Sequence, residues 1–206
     1  FGTVTYQEVL TALGVGGDPR PDQLLGRLRD IRDRFLADPA AAEDNAAPLY
    51  RALAAQVRGR GGSRRAGSLN LGTLRTEFGR GNGLIATNVG WRRPPVVRRG
   101  PAVFGDMVPF VPAVEGTDPL WDALAVRLPD PSDAKDVLRK LARRRWPSKE
   151  QLLVMLNALR ILARARADQV GSLARSSVWV GDRWMAARPV YALSLIHISE
   201  PTRQAE

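Results

Sequence analysis

SDAKDVLRKLARRRWPSKEQLLVMLNALRILA, Ser132–Ala163, is the stretch that decides the fold class. Val137, Leu138 and Leu141 fall on one face of a helix that Ser132 can cap and that runs to Trp146. Its last turn would carry Arg143, Arg144 and Arg145, where cations interact favourably with the carbonyl end of a helix. Pro147 interrupts the path, and Ser148 caps a second helix from Lys149 to about Asp168. Leu152, Leu153, Met155, Leu156, Leu159, Leu162 and Ala163 give this helix a broad apolar face. A link of about two or three residues between two such helices predicts an αα-hairpin. Downstream, SVWVGDRWMA (Ser177–Ala186) places two short apolar runs around Gly181-Asp182, as in a type II′ β-hairpin with Trp179 opposite Trp184.

Working back toward the N-terminus, Thr117 or Asp118 can cap a helix through Leu120, Trp121, Leu124 and Val126. From Arg92 to Pro119 the text is rich in Pro and Gly yet keeps aromatic and β-branched residues. That mixture predicts an ordered, packed loop rather than disorder. Leu84–Val89 alternates loosely and can form a strand leading into Trp91, and a short helix is expected over Leu71–Phe78. GRGGSRRAG (Gly59–Gly67) is basic and has nothing to bury, which marks residues 59–68 as a linker. Before it, three helices are predicted. Thr5–Val15 has a capping box from Thr5 and Glu8. Pro21 to about Leu36 lines up Leu24, Leu25, Leu28, Ile31 and Phe35, with Arg29–Asp33 and Asp30–Arg34 as local ion pairs. Glu43–Val57 buries Leu49, Tyr50, Leu53 and Val57. The expected fold is therefore mainly α. It comprises a helical module over 1–58, the linker, and a mixed segment over 69–192 whose Pro/Gly-rich irregular middle leads to the helical hairpin and the short β-hairpin.

The chain has 206 residues, no Cys and one His, His197, and a formal charge of +10. With neither Cys nor His in residues 1–192, Cys/His zinc sites, His-dependent triads, Cys nucleophiles and disulfides are excluded there. No run of about 18 apolar residues occurs that could span a membrane. The positive charge has two explanations: an anion-binding surface, or a GC-rich coding bias that favours Arg, Ala, Gly and Pro. Only Lys135, Lys140 and Lys149 among the 31 basic residues are lysine, which the second explanation predicts.

Candidate sites are few. Gly79-Arg80-Gly81-Asn82-Gly83 is a possible anion nest, but it lacks the Gly-Lys-Ser/Thr and the strand-then-helix setting of nucleotide loops, so a turn is the simpler reading. Asp106, Glu115 and Asp118 lie in the loop region without the spacing of any hydrolytic motif, and Asp118 has a capping role available. Arg58, Arg60, Arg64 and Arg65, with Arg143, Arg144 and Arg145, are the candidate anion contacts. Trp91, Trp179 and Trp184 are the candidate protein contacts, whereas Trp121 and Trp146 are explained by core and helix-end packing. No catalytic, cofactor-binding or metal-binding residue is assigned.

LNLGTLRTEF and GNGLIATNVGWRRP (Leu69–Pro94), GPAVFGDMVPFVPAVEGTDPLWDALAV (Gly100–Val126) and VWVGDRWMAARPVYA (Val178–Ala192) together resemble large actinobacterial proteins that carry a sacsin-like, Hsp90-type ATPase domain near their N-terminus. The resemblance is diffuse over residues 1–192 and includes no catalytic motif. It implies a downstream scaffold or regulatory segment of an ATP-driven, chaperone-like cytoplasmic protein, whose partners are other domains of its own chain or a protein client. A nucleic-acid-binding module using the Arg clusters is the alternative. LSLIHISEPTR (Leu193–Arg203) is similar to a translated transposon-end sequencing adapter, so residues 193–206 are expected to be an artefactual tail. With Phe1 in place of an initiator Met, the chain is expected to be an internal fragment.

Overall fold

The computed structural model describes residues 19–58, 70–164 and 176–186. Six α-helices and one two-stranded antiparallel hairpin occur among them, so the fold is mainly α as expected. The helix expected over Thr5–Val15 and the linker at 59–68 lie outside the described residues. The chain divides into two compact units. The first holds the described residues up to Pro94 together with Val114–Ala125; the second holds Pro95–Ala113 and the described residues from Val126 onward. The division thus runs through the Pro-rich middle, and the helix after the expected linker belongs with the helices before it.

In the first unit, α1 (Pro21–Arg34) packs on α2 (Pro39–Arg58), which also packs on α4 (Asp118–Ala123). Pro21 occupies the first turn of α1, where its missing N–H costs nothing, and Gln23 Oε1 accepts the Arg20 N–H at 3.0 Å. Leu24, Leu25 and Leu28 are buried. The expected Arg29–Asp33 and Asp30–Arg34 pairs do not form. Instead Arg29 reaches Glu77 on α3 (Leu71–Gly79) at 2.9 Å, and Arg80 reaches the same carboxylate at 2.7 Å. Glu77 is nearly buried, so its charge needs these cations more than exposed Asp33 does, and Asp33 pairs instead with Arg32 at 2.8 Å.

Helix α2 begins four residues before the expected Glu43, because Asp38 accepts the Ala41 N–H at 3.1 Å and Pro39 follows it. Ala42, Ala46, Tyr50, Leu53 and Ala54 form its buried stripe, while Leu49 and Val57 are only partly covered. The small side chains admit neighbours closely, and Tyr50 fills the space beyond them. The Tyr50 hydroxyl donates to the Leu84 carbonyl at 2.9 Å and accepts the Ala86 N–H at 2.8 Å. Burial pushes its pKa up; the Ala86 N–H opposes this, and the hydroxyl keeps its proton. Tyr50 thereby takes the backbone groups that a strand over Leu84–Val89 would have used. Only a single antiparallel bridge, Ile85 to Arg92, remains of that expected strand. The Tyr50 ring stands edge-on to Trp121, with centroids 5.1 Å apart. Thr117 precedes α4 without capping it through its side chain: its hydroxyl accepts the Trp121 indole N–H at 2.9 Å and donates to the Val114 carbonyl at 2.6 Å.

In the second unit, α5 (Pro131–Leu141) packs on α6 (Lys149–Ala163), giving the expected helical hairpin. The cap of α5 is Asp130 and not Ser132. Asp130 Oδ1 accepts the N–H groups of Ser132 and Asp133 at 2.8 and 3.0 Å, and Asp133 returns the bond by accepting the Asp130 N–H at 3.1 Å. The helix ends at Leu141, so its last turn carries Arg139 and Lys140; Arg143, Arg144 and Arg145 fall in the connection, which spans residues 142–148. Ser148 caps α6 as expected, accepting the Gln151 N–H at 3.3 Å. Val137, Leu138, Leu141, Met155, Ala158 and Leu162 form the core between the helices, joined by Phe104, Phe110 and Val178. β1 (Ser177–Trp179) pairs with β2 (Trp184–Ala186), and Gly181 supplies the positive φ of +73° in the turn.

The Pro-rich middle is ordered, as its apolar content predicted. Two 3₁₀ turns, Pro94–Val96 and Gly105–Met107, punctuate it. Arg98 fixes the part within the second unit. Its Nε and Nη2 donate to the two oxygens of Asp133, both at 2.6 Å, and its Nη1 donates to the carbonyls of Pro95 and Val97 at 3.0 Å. Its backbone lies between single parallel bridges to Phe110 and Arg127.

Two outcomes follow from these buried polar groups. Tyr50→Phe strands the Leu84 carbonyl and the Ala86 N–H, and should cost about 2–3 kcal/mol in denaturant unfolding. Burial raises the Asp133 pKa, but the Arg98 hydrogen bonds, the Asp130 N–H and the charges of Arg98 and Arg127 outweigh it and hold the carboxyl below its ordinary range. A depressed carboxyl pKa contributes stability that is full above the unfolded value, near pH 4, and is lost as pH falls through the folded value. Asp133→Asn should therefore lower stability by about 3 kcal/mol at pH 7 and flatten the acid limb of the stability profile below about pH 4.

Candidate interaction surface

The loop 142–148 and the β-hairpin meet in the second unit. The early stop of α5 puts Trp146 in this loop, where it is 66% exposed and is not packed as a helix end. The hairpin sends Val178 into the α5–α6 core, while its cross-strand pair, Trp179 and Trp184, packs partly buried against that core. Trp179 stands edge-on to both neighbours: its centroid lies 5.5 Å from that of Trp146 and 5.6 Å from that of Trp184. The Trp184 indole N–H donates to the Arg144 carbonyl at 2.7 Å and pins the hairpin to the loop. The Trp179 backbone N–H points at the Met155 sulfur, 3.3 Å away on α6. An indole row half-sunk in the core thus ends in an indole open to water. Val180, which follows Trp179 into the turn, is also exposed.

The charge around this row is one-sided. Residues 139–150 carry six cationic side chains and one carboxylate, Glu150. Arg139 is occupied by Asp136 at 2.9 Å. The Glu150 carboxyl takes a hydrogen bond from the Ser148 hydroxyl, which is the main cause of its lowered pKa. Arg143, Arg144 and Arg145 are exposed, and none of them pairs with a carboxylate among the described residues. Exposed aromatic area next to arginine is the composition that interface hot spots favour, because indole and guanidinium combine large contact area with directed donors.

The other candidate residues do not gather here. Trp91 is buried at 2% exposure in the first unit, with its indole N–H toward the Phe35 carbonyl at 3.4 Å, so it cannot be a surface contact. Arg58 is exposed at the end of α2, and Arg60, Arg64 and Arg65 lie outside the described residues. Gly81 and Gly83 have φ of +53° and +87°, and a Cβ at Gly83 would collide with the Arg92 carbonyl. Close backbone packing therefore accounts for this glycine, consistent with the turn reading. Asp106 belongs to the second unit while Glu115 and Asp118 belong to the first, so the three do not form one site within either unit. Among the described residues no group of three His, Cys, Asp or Glu side chains could hold a metal ion. An open cleft of about 430 Å³ runs between α1 and α2, with Ile31, Phe35 and Leu49 in its lining and Arg27, Asp30 and Arg34 beside them.

Sequence reasoning missed Trp146 because it carried α5 on to that residue. The signal was present in Asp130-Pro131, which starts the helix early, and in the absence of apolar spacing after Leu141. If Trp146 contributes to a surface and not to the core, Trp146→Ala should change stability by less than about 1 kcal/mol. It should also remove most of the iodide-quenchable tryptophan fluorescence, read beside thermal melts of the same protein. Comparison with protein-family models, curated proteins and solved structures finds no match to this chain.

Proposed function

We propose that this chain is a non-catalytic scaffold or regulatory segment of a larger ATP-driven, chaperone-like protein. It acts by holding a protein partner, either another domain of its own parent chain or a client. The observation that carries this reading is the exposed indole of Trp146, edge-on to Trp179 and bordered by Arg143, Arg144 and Arg145, which pair with no carboxylate among the described residues. A buried core behind the row keeps it in place, so little conformational freedom is lost when a partner binds. The resemblance to proteins with an Hsp90-type ATPase domain supplies the chaperone-like context, and it assigns nucleotide turnover to a different domain.

A nucleic-acid module is the second reading, since arginines beside aromatic rings also serve single strands. The ring geometry favours protein. Consecutive bases stack on faces that present themselves in series, whereas these indoles meet their neighbours at 70° and 68°.

The test uses the whole chain and an aggregation-prone client followed by light scattering. The wild-type protein should slow aggregation without hydrolysing ATP, and Trp146→Ala with Arg144→Glu should lose at least about nine-tenths of the effect, since alanine at a hot spot typically costs tenfold or more. Equal protection by the variant, or ATP turnover by the chain itself, overturns the proposal.

A further inference from the structure

We infer that the segment held by this surface is an acidic stretch of protein carrying a bulky apolar side chain, and this rests on the proposed function above. The apolar half follows from Trp146. An indole 66% exposed offers an edge on which a leucine, phenylalanine or tryptophan can be desolvated. The acidic half follows from charge complementarity. Arg143 and Arg145 flank Arg144, whose carbonyl is already committed to the Trp184 indole, so the loop is held while its three guanidinium groups remain unpaired among the described residues. Lys149 and Lys140 add cationic charge on either side, and the only carboxylate in this stretch is engaged with Ser148.

The two halves are adjacent by construction. Trp146 directly follows Arg145 in a loop fixed at one end by the Leu141 carbonyl, which accepts the Arg144 N–H at 2.9 Å, and at the other by the Ser148 cap. Carboxylates one to three residues from the apolar anchor can therefore meet guanidinium groups while the anchor meets the indole. Guanidinium binds carboxylate through two parallel N–H donors, which gives orientation as well as attraction. An extended peptide satisfies this spacing without folding first.

Fluorescence anisotropy of labelled twelve-residue peptides, titrated with the full chain, tests the inference. Four probes are needed: an acidic peptide with one central tryptophan, the same peptide with glutamines replacing the acids, the acidic peptide with alanine replacing the anchor, and a single-stranded oligothymidine. The first should bind at least about tenfold more tightly than the others, and should weaken about tenfold or more from 50 to 300 mM salt as the exposed charges are screened. Trp146→Ala, and separately Arg143→Glu with Arg145→Glu, should each weaken it by about tenfold or more. Arg51→Glu, on the exposed side of α2, should leave it unchanged; an equal loss there means general charge attraction and overturns the inference. Equal binding of the glutamine peptide, still sensitive to Trp146→Ala, overturns the acidic partner but leaves the surface standing. Tighter binding of oligothymidine overturns the protein partner. No binding of any peptide, with no effect of Trp146→Ala on the client assay, overturns both the inference and the function it rests on.

Discussion

The buried pair between Arg98 and Asp133 is the constraint on which the second unit depends. Their side chains are 9% and 12% exposed, so both charges have left most of their water behind. Such a pair is favourable only when nearly every donor and acceptor finds a partner. Arg98 meets this by spending two donors on Asp133 and its Nη1 on the carbonyls of Pro95 and Val97. Those carbonyls belong to a segment where Pro94, Pro95, Pro101, Pro109 and Pro112 have no N–H to contribute, and a regular ladder cannot form. One arginine thus replaces secondary structure as the means of satisfying buried backbone.

The same carboxylate starts α5. Asp133 accepts the Asp130 N–H within the capping box and accepts Arg98 from outside it, so helix entry and loop position are set by one group. The direction of α5 then sets where Leu141 ends and where the loop 142–148 turns back to α6. Val178 enters the core that these helices share, and this registers the hairpin so that Trp184 reaches the Arg144 carbonyl. The aromatic row is consequently a downstream product of packing some distance along the chain from it. It is held by the Trp179 N–H on Met155, by Val178 in the core, by Trp184 on the Arg144 carbonyl and by the Ser148 cap, together with the edge contacts among the indoles.

This dependence also explains what could be read from the sequence. Helices whose apolar residues repeat on one face were legible: α1, α5 and α6 appear near where Leu24–Leu28, Val137–Leu141 and Leu152–Leu162 placed them, and Gly181 marked the β-turn. But α6 ends at Ala163 and not near Asp168, and Leu153, Leu156 and Ala163 of its expected apolar face are exposed because α5 covers only the side carrying Met155, Ala158 and Leu162. Local polar chemistry was legible only in part. Ser148 caps α6, but Asp130 displaced Ser132 at α5 and Thr117 turned its hydroxyl to Trp121 and Val114. Long-range polar pairs were not legible at all. Arg98 and Asp133 are 35 residues apart, and Arg29 and Glu77 are 48 apart, so no local spacing reveals them. Where such a pair competes with a surface pair, the partner with less water wins, which is why Arg29 leaves Asp33 for Glu77. The surface was half legible: Trp179 opposite Trp184 followed from the turn, whereas Trp146 and Trp91 exchanged their expected places because their burial is decided by tertiary packing.

Arginine abundance alone does not distinguish coding bias from function, but the company each arginine keeps does carry information. Arg29, Arg80, Arg98, Arg127 and Arg139 each have a carboxylate within ion-pair distance. Bias supplies such residues freely, and folding uses those that fall near an acid. Arg143, Arg144 and Arg145 are different: three neighbouring cations, with no acid facing them among the described residues, border the most exposed indole described. Repulsion among them is mild because water and salt screen exposed charges over roughly 8–10 Å, so stability does not forbid the arrangement, and it gains nothing from it either. A feature that folding neither needs nor removes is available for recognition. The indole adds the desolvated contact that charge alone lacks, which makes this loop, rather than the basic composition as a whole, the place where the positive charge can act specifically.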